Sequence, residues 1–185
     1  VLVGSVLVML FIGGVKAWQF FLLCAVCFAA AGFVALLEPY RVERLTAFTD
    51  PWSTENMYGG GYQLTQSLIA FGRGDWFGAG LGQSLQKLFY LPEAHTDFVF
   101  AIWAEETGLL GACLVLGLLG YVVAKAMSIG REAFDAGQAF SGYIAYGISM
   151  TIGFQIIINV GVNTGLLPTK GLTLPFLSYG GSSLL

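Results

Sequence analysis

The segment Leu91-Pro92-Glu93-Ala94-His95-Thr96-Asp97-Phe98 places an acid at the mouth of a long apolar run and carries the chain's one histidine. A carboxylate held where water meets hydrocarbon is expensive to keep, and such groups mark substrate or ion sites. Desolvation strengthens its hold on a proton, which makes Asp97 a candidate general base near neutral pH. His95 and Glu93 lie close enough along the chain to tune it. Asp97 and Thr96 are also suited to capping a helix that begins at Phe98. Capping and catalysis are compatible.

Four further charged side chains could share that chemistry. Glu105 and Glu106 follow eight and nine residues later, about 12 Å along a helix axis, where they could hold a cation or a substrate hydroxyl. Alternatively, the uncharged run 107–124 spans a thin hydrocarbon core by itself and leaves both glutamates at the interface in a structural role. Lys170 sits in Leu167-Pro168-Thr169-Lys170-Gly171-Leu172, and Gly180-Gly181-Ser182-Ser183 interrupts the helix expected next. Interrupted helices at membrane depth line cavities, and a lysine aimed into one suits a phosphate. A lysine reaching back to the interface is the plainer alternative. Arg73, in Phe71-Gly72-Arg73-Gly74, is a second cation of this kind unless it is simply solvated. Gly78-Ala79-Gly80-Leu81-Gly82 has no strand before it, so it reads as a turn and not as a nucleotide-binding loop.

These residues need a scaffold, and the composition says which kind. Of 185 residues, 56% are hydrophobic and only 10% charged, with a mean hydropathy of +0.76. A soluble domain carries roughly 25% charged residues, so the chain reads as an integral membrane protein. The net charge of −3 and the lack of any basic run exclude nucleic acid as a partner. Cys24, Cys27 and Cys113 all lie in apolar stretches, and Cys24-x-x-Cys27 has neither a second pair nor a nearby histidine. They read as small apolar residues. Both ends fall inside apolar segments, and no targeting pattern is present, so the sequence reads as part of a larger polytopic protein.

Spans need about 20 mainly apolar residues. Residues 1–15 read as a partial span, 18–37, 98–124 and 139–162 as full spans, and 173–185 as the start of a last one. Lys16 lies in one short connection and Lys125 with Arg131 in that at 125–138. Two spans separate them, so both face one side, assigned to the cytoplasm. The loop 38–97 and the connection 163–172 then face outward. A loop of about sixty residues without its own core is usually functional. Within it, Leu64, Leu68 and Phe71 recur at helical spacing, with Gln63, Gln66 and Ser67 on other faces. That pattern fits an interfacial amphipathic helix or one packed on the spans.

Several of these motifs occur in a recognisable order: Tyr62-Gln63-Leu64-Thr65-Gln66-Ser67, Phe71-Gly72-Arg73-Gly74, residues 91–101, Glu105-Glu106-x-Gly108, and residues 163–171 through Pro175-Phe176-Leu177-Ser178-Tyr179-Gly180-Gly181-Ser182-Ser183. From Arg41 onward the chain resembles the SEDS family (shape, elongation, division and sporulation). Residues 86–95 and Pro168-Thr169-Lys170-Gly171 are more similar to its division branch than to its elongation branch. The resemblance implies an all-α polytopic bundle of about ten spans, of which this would be the C-terminal half. It implies a glycosyltransferase that polymerises lipid II into glycan strands at the outer face of the bacterial inner membrane, at the division septum. It places the family's loop aspartate on Asp97 and its lysine on Lys170. The expected partners are lipid II, a class B penicillin-binding transpeptidase, other division proteins and membrane lipids.

In that chemistry one base takes a proton from an attacking sugar hydroxyl, and a cation meets the charge of the departing pyrophosphate. Asp97 is the expected base. Lys170, Arg73 or a divalent cation (Mg or Mn) would supply the positive charge, with His95, Glu105 and Glu106 as further substrate contacts. Two rival readings are a lipid II flippase and a scaffold of the division machinery. Transporters set charged groups near the midplane, often in inverted repeats. Here the groups gather on one outward face and no repeat is visible. The loop aromatics Trp52, Tyr58 and Tyr62 would suit a docking surface.

Overall fold

A computed structural model describes residues 1–37, 48–91 and 95–179. Glu38, Glu93 with its neighbour Pro92, and the Gly180–Ser183 interruption lie outside the described residues. Among the described residues there is no strand, and the order is α1 (Leu2–Ile12), α2 (Ala17–Leu37), α3 (Thr54–Met57), α4 (Tyr62–Gly74), a π-helical turn (Gln86–Tyr90), α5 (Val99–Asp135) and α6 (Ala139–Asn163). Of these, α2, α5 and α6 are long and apolar enough to cross a membrane. The expected all-α membrane architecture is what forms.

The chain gathers into two units, Val1–Pro39 with Leu118–Phe154 and Tyr40–Gly117 with Gln155–Leu185. In the first unit, α1 and α2 form a hairpin around Gly13 and Gly14, with the Phe11 and Phe20 rings 5.2 Å apart. The C-terminal part of α5 pairs with the N-terminal part of α6. Phe134 stands edge-on to Tyr143 at 4.8 Å and stacks on Tyr146 at 5.5 Å. Ser149, fully buried in an apolar helix, donates to the Val123 carbonyl at 3.0 Å. With no hydrophobic force between helices in lipid, such side-chain packing and polar contacts hold them together.

Helix α5 continues to Asp135, well past the limit at Ala124 set by hydropathy. Hydropathy marks where apolar residues stop, whereas backbone hydrogen bonding carries on through Lys125, Arg131, Glu132 and Asp135. Only 136–138 remain as the connection. Residues 175–177 form a turn, and 180–185, the greater part of the expected last span, lie outside the described residues.

The second unit carries the chemistry-bearing residues. Leu91, Phe98 and Val162 form its core, with Ile102, Ile158 and Leu167 packed against them. Phe71 and Phe100 meet at 5.7 Å. Helix α4 buries Leu64, Thr65, Ser67 and Ala70, which lie on more than one face. The Ser67 hydroxyl donates to the Asn163 carbonyl at 2.7 Å. So α4 is packed on the protein, with buried hydroxyls individually bonded, and does not lie on one apolar stripe.

Candidate active site

Asp97 lies in the turn leading into α5, directly after the half-exposed Thr96 and before the buried Phe98. Its carboxylate is set against the loop that follows α6. A Cβ built on Gly171 would stand 2.8 Å from Asp97 Oδ2. That is closer than real Cβ atoms approach, so a side chain on the residue after Lys170 would have to push the Asp97 carboxylate aside. Two segments 74 positions apart in sequence thus come together, one with the candidate base and the other with the candidate cation, whose own side chain is exposed.

Two buried amides make that meeting. Asn159 and Asn163 stand one turn apart on α6, at 1% and 0% exposure. Asn159 Nδ2 donates to the Asp97 carbonyl at 2.9 Å and also to the Leu172 carbonyl. Asn163 Nδ2 donates to the same Asp97 carbonyl at 3.0 Å. Asn163 Oδ1 accepts the Ala101 N–H at 3.3 Å, a donor at the start of α5 that is shared with the Phe98 carbonyl at 3.1 Å. A second tie runs from the 173–179 segment. The Ser178 hydroxyl donates to the Thr96 carbonyl and accepts the Leu174 N–H at 2.7 Å, and the Tyr179 N–H donates to the His95 carbonyl at 2.9 Å. The turn 95–97 is thereby held through its carbonyls, one residue after another.

Arg73, Glu105 and Glu106 are gathered elsewhere in this unit. Glu105 is completely buried, and its oxygens accept from Arg73 Nη1 at 3.2 Å, the Leu85 N–H at 3.1 Å, the Gln86 N–H at 3.4 Å and the Ser84 hydroxyl. A buried carboxylate is tolerable only when paired and hydrogen-bonded in this way. Glu106 accepts from Lys87 Nζ at 2.7 Å. Both glutamates therefore hold the chain of 84–87, Glu105 from a fully buried position.

Just beyond them α5 is broken. Gly108 takes φ 68° and ψ −169°, outside any helix. The groups freed by the break are taken up by residues 75–80. The Ala79 and Gly80 N–H groups donate to the Glu105 and Glu106 carbonyls at 2.9 and 3.1 Å, while the Leu109 and Leu110 N–H groups donate to the Asp75 and Trp76 carbonyls at 2.9 and 3.3 Å. Four backbone groups that hydrocarbon would penalise are thus satisfied. The 78–82 segment is the turn its glycines indicated, fitted to a helix break that the sequence did not reveal. A cavity of about 420 Å³ beside the break is lined by Phe71, Asp75, Trp76, Ala104, Leu109 and Ala112, with Gly72.

Sequence reasoning missed Asn159 as a site residue, although Ile156-Ile157-Ile158-Asn159-Val160 shows an amide in a run that should exclude one. It also left Ser178 and Ser84 without roles. Cys24, Cys27 and Cys113 are all free thiols. Among the described residues no three His, Cys, Asp or Glu side chains converge.

Comparison with known proteins joins this geometry to a family. A family model described as "Cell cycle protein", covering FtsW, RodA and SpoVE, matches residues 1–185. The chain is 55% identical over 185 residues to a protein of Coxiella burnetii named "Probable peptidoglycan glycosyltransferase FtsW", covering 100% of this chain and 49% of that protein. A protein of the same name from Halomonas elongata is 56% identical over 184 residues, covering 100% of this chain and 46% of that one. The chain therefore spans about half the length of these relatives. Among solved structures, a chain from a peptidoglycan synthase complex described as coordinating polymerization and crosslinking aligns with a TM-score of 0.67 at 34% identity, over 97% of this chain and 48% of its own. A whole-chain family match, relatives above half identity and a shared membrane fold agree: the chain belongs to the FtsW/RodA/SpoVE family of cell cycle proteins, the SEDS family.

Proposed function

We propose that this chain is the catalytic part of a peptidoglycan glycosyltransferase that polymerises lipid II during septal wall synthesis in the bacterial inner membrane. The observation that carries the reading is the approach of the Asp97 carboxylate to Gly171, beside Lys170. It sets a base and a cation-bearing loop at one place, as glycosyl transfer from a pyrophosphate requires. The names of the relatives supply the reaction class.

In the reaction, the 4-hydroxyl of one lipid II sugar attacks the anomeric carbon at the end of a growing strand. A C–O bond forms there as the bond to undecaprenyl pyrophosphate breaks. Asp97 takes the hydroxyl proton as the oxygen becomes nucleophilic. Lys170 meets the charge gathering on the pyrophosphate, a contact that strengthens towards the transition state and so lowers the barrier. The outward face carries these residues, with Lys16, Lys125 and Arg131 towards the cytoplasm. A class B penicillin-binding transpeptidase is the proposed partner, supported by the peptidoglycan synthase complex that contains the aligned chain.

The test is lipid II polymerisation by the full-length protein with its transpeptidase partner, whose own active site is acylated so that only glycan strands report. Wild type should give glycan ladders and Asp97→Ala should give none. Equal ladders from both would overturn the role of Asp97. Absent ladders, with wild-type-dependent passage of lipid II across liposomes, would replace the enzyme by a flippase.

A further inference from the structure

We infer that Asn159 and Asn163 are positioning residues for Asp97: a buried amide pair that fixes the peptide after the base and clamps its loop to the Lys170–Leu172 segment. The inference rests on Asp97 being the base. Neither amide reaches the carboxylate. Both donate to the carbonyl of Asp97, at 2.9 and 3.0 Å, filling its two lone pairs. With that carbonyl pinned, the backbone on which the Asp97 side chain pivots cannot rotate away from Gly171.

The second proton of the Asn159 amide goes to the Leu172 carbonyl, so one side chain sets the base loop and the lysine loop in register. The Asn163 amide adds the start of α5 through Ala101, and its backbone carbonyl adds the middle of α4 through Ser67. Three segments, the Asp97 turn, the Leu172 loop and the start of α5, therefore meet two buried side chains. A purely structural reading would need only that these amides find partners. It would not require both to choose the same carbonyl, on the one residue with a carboxylate over Gly171.

Gly171 closes the arrangement from the other side. Any side chain there meets Oδ2 within 2.8 Å and must displace it. Misplacing a catalytic group by about 1 Å costs on the order of 100-fold in rate without weakening substrate binding in proportion. The expected signature is thus a fall in kcat with KM held.

The experiment compares full-length wild type, Asp97→Ala, Asn159→Asp, Asn163→Asp and Gly171→Ala, each with the acylated partner. It measures kcat, KM for lipid II, the pH–rate profile and the melting temperature. Each Asn→Asp change keeps the volume and removes the amide donors, and since the buried new carboxyl titrates on its own, kcat and KM are compared on the pH plateau. The inference predicts that Asn159→Asp and Asn163→Asp lose roughly 10- to 100-fold in kcat with KM within about twofold. Gly171→Ala, in an exposed loop, should reproduce the kcat loss without a lower melting temperature. Wild-type kcat in the Asn variants, beside a dead Asp97→Ala, would overturn the inference and leave the function standing. An active Asp97→Ala would instead overturn the function. Should the Asn variants fail to fold, Gly171→Ala decides: wild-type kcat there also overturns the inference.

Discussion

Gly78 and Gly108 lie so close that neither has room for a side chain. A Cβ on Gly108 would stand 2.4 Å from the Gly78 nitrogen, and one on Gly78 would stand 2.7 Å from the Gly108 nitrogen and 2.2 Å from the Glu106 carbonyl oxygen. Both residues also hold φ in the left-handed region, at 81° and 68°. The atoms in the way are backbone, which cannot swing aside as a side chain would. Turn and helix break are therefore one unit.

Gly108→Ala should accordingly destabilise strongly, by roughly 3 kcal/mol or more, because positive-φ strain and a backbone clash add together. Thermal melting of the full-length protein in detergent measures it. A melting temperature within a degree or two of wild type would mean the break is not held as described.

Glu105 and Arg73 should be strongly non-additive. Glu105→Ala leaves Arg73, Ser84 and two N–H groups without their acceptor and should cost about 3 kcal/mol. Arg73→Ala leaves the fully buried Glu105 carboxylate without its cation, with only the Ser84 hydroxyl and the Leu85 and Gln86 N–H groups still donating to it, so it should cost about 2–3 kcal/mol, most of it already included in the Glu105 loss. A double-mutant cycle in melting experiments checks this. A substrate role for Arg73 would appear instead as lost turnover with unchanged stability.

Asp97→Asn should bind lipid II as wild type does and polymerise it at least 100-fold more slowly, since the amide cannot accept a proton. In wild type the rate should fall towards acid, where the carboxylate becomes protonated and has no base to offer. A near wild-type rate for the Asn variant would reduce Asp97 to a helix-capping role.

Lys170→Ala should lower both turnover and affinity, turnover more, since its charge is most useful as the pyrophosphate departs. The expected loss is on the order of 10- to 1000-fold in kcat/KM. Unchanged kinetics would assign the phosphate contact to another group.

Much of this arrangement is legible in the sequence wherever a residue is out of keeping with its surroundings. Asp97 stands out because acids at the edge of apolar runs are costly, and Lys170 because Pro168 and Gly171 interrupt the run around it. Asn159 carries the same mark and could have been found by the same rule. Two features were not legible. Nothing at Gly108 signals a broken helix, because glycine is common in membrane helices and no proline accompanies it. Glu105 is equally opaque: hydropathy places it by distance from the apolar run, whereas its burial comes from Ser84, Leu85 and Gln86 folding back over it. Long-range closure of that kind has no period or motif.

The exchange of backbone hydrogen bonds at the helix break also bears on how the sequence can drift. Main chain recognises main chain there, through the N–H groups of Ala79 and Gly80 and the carbonyls of Asp75 and Trp76. The side chains of Phe77, Ala79 and Leu81 are exposed and contribute none of those bonds. Saturation mutagenesis should therefore return an alternating record, with wide tolerance at 77, 79 and 81 and almost none at 78 and 108. The joint is specified by absences of side chain, at Gly78 and Gly108 and also at Gly74, whose Cβ would meet the Ala104 carbonyl, while the exposed letters at 77, 79 and 81 are free for lipid or partner to choose.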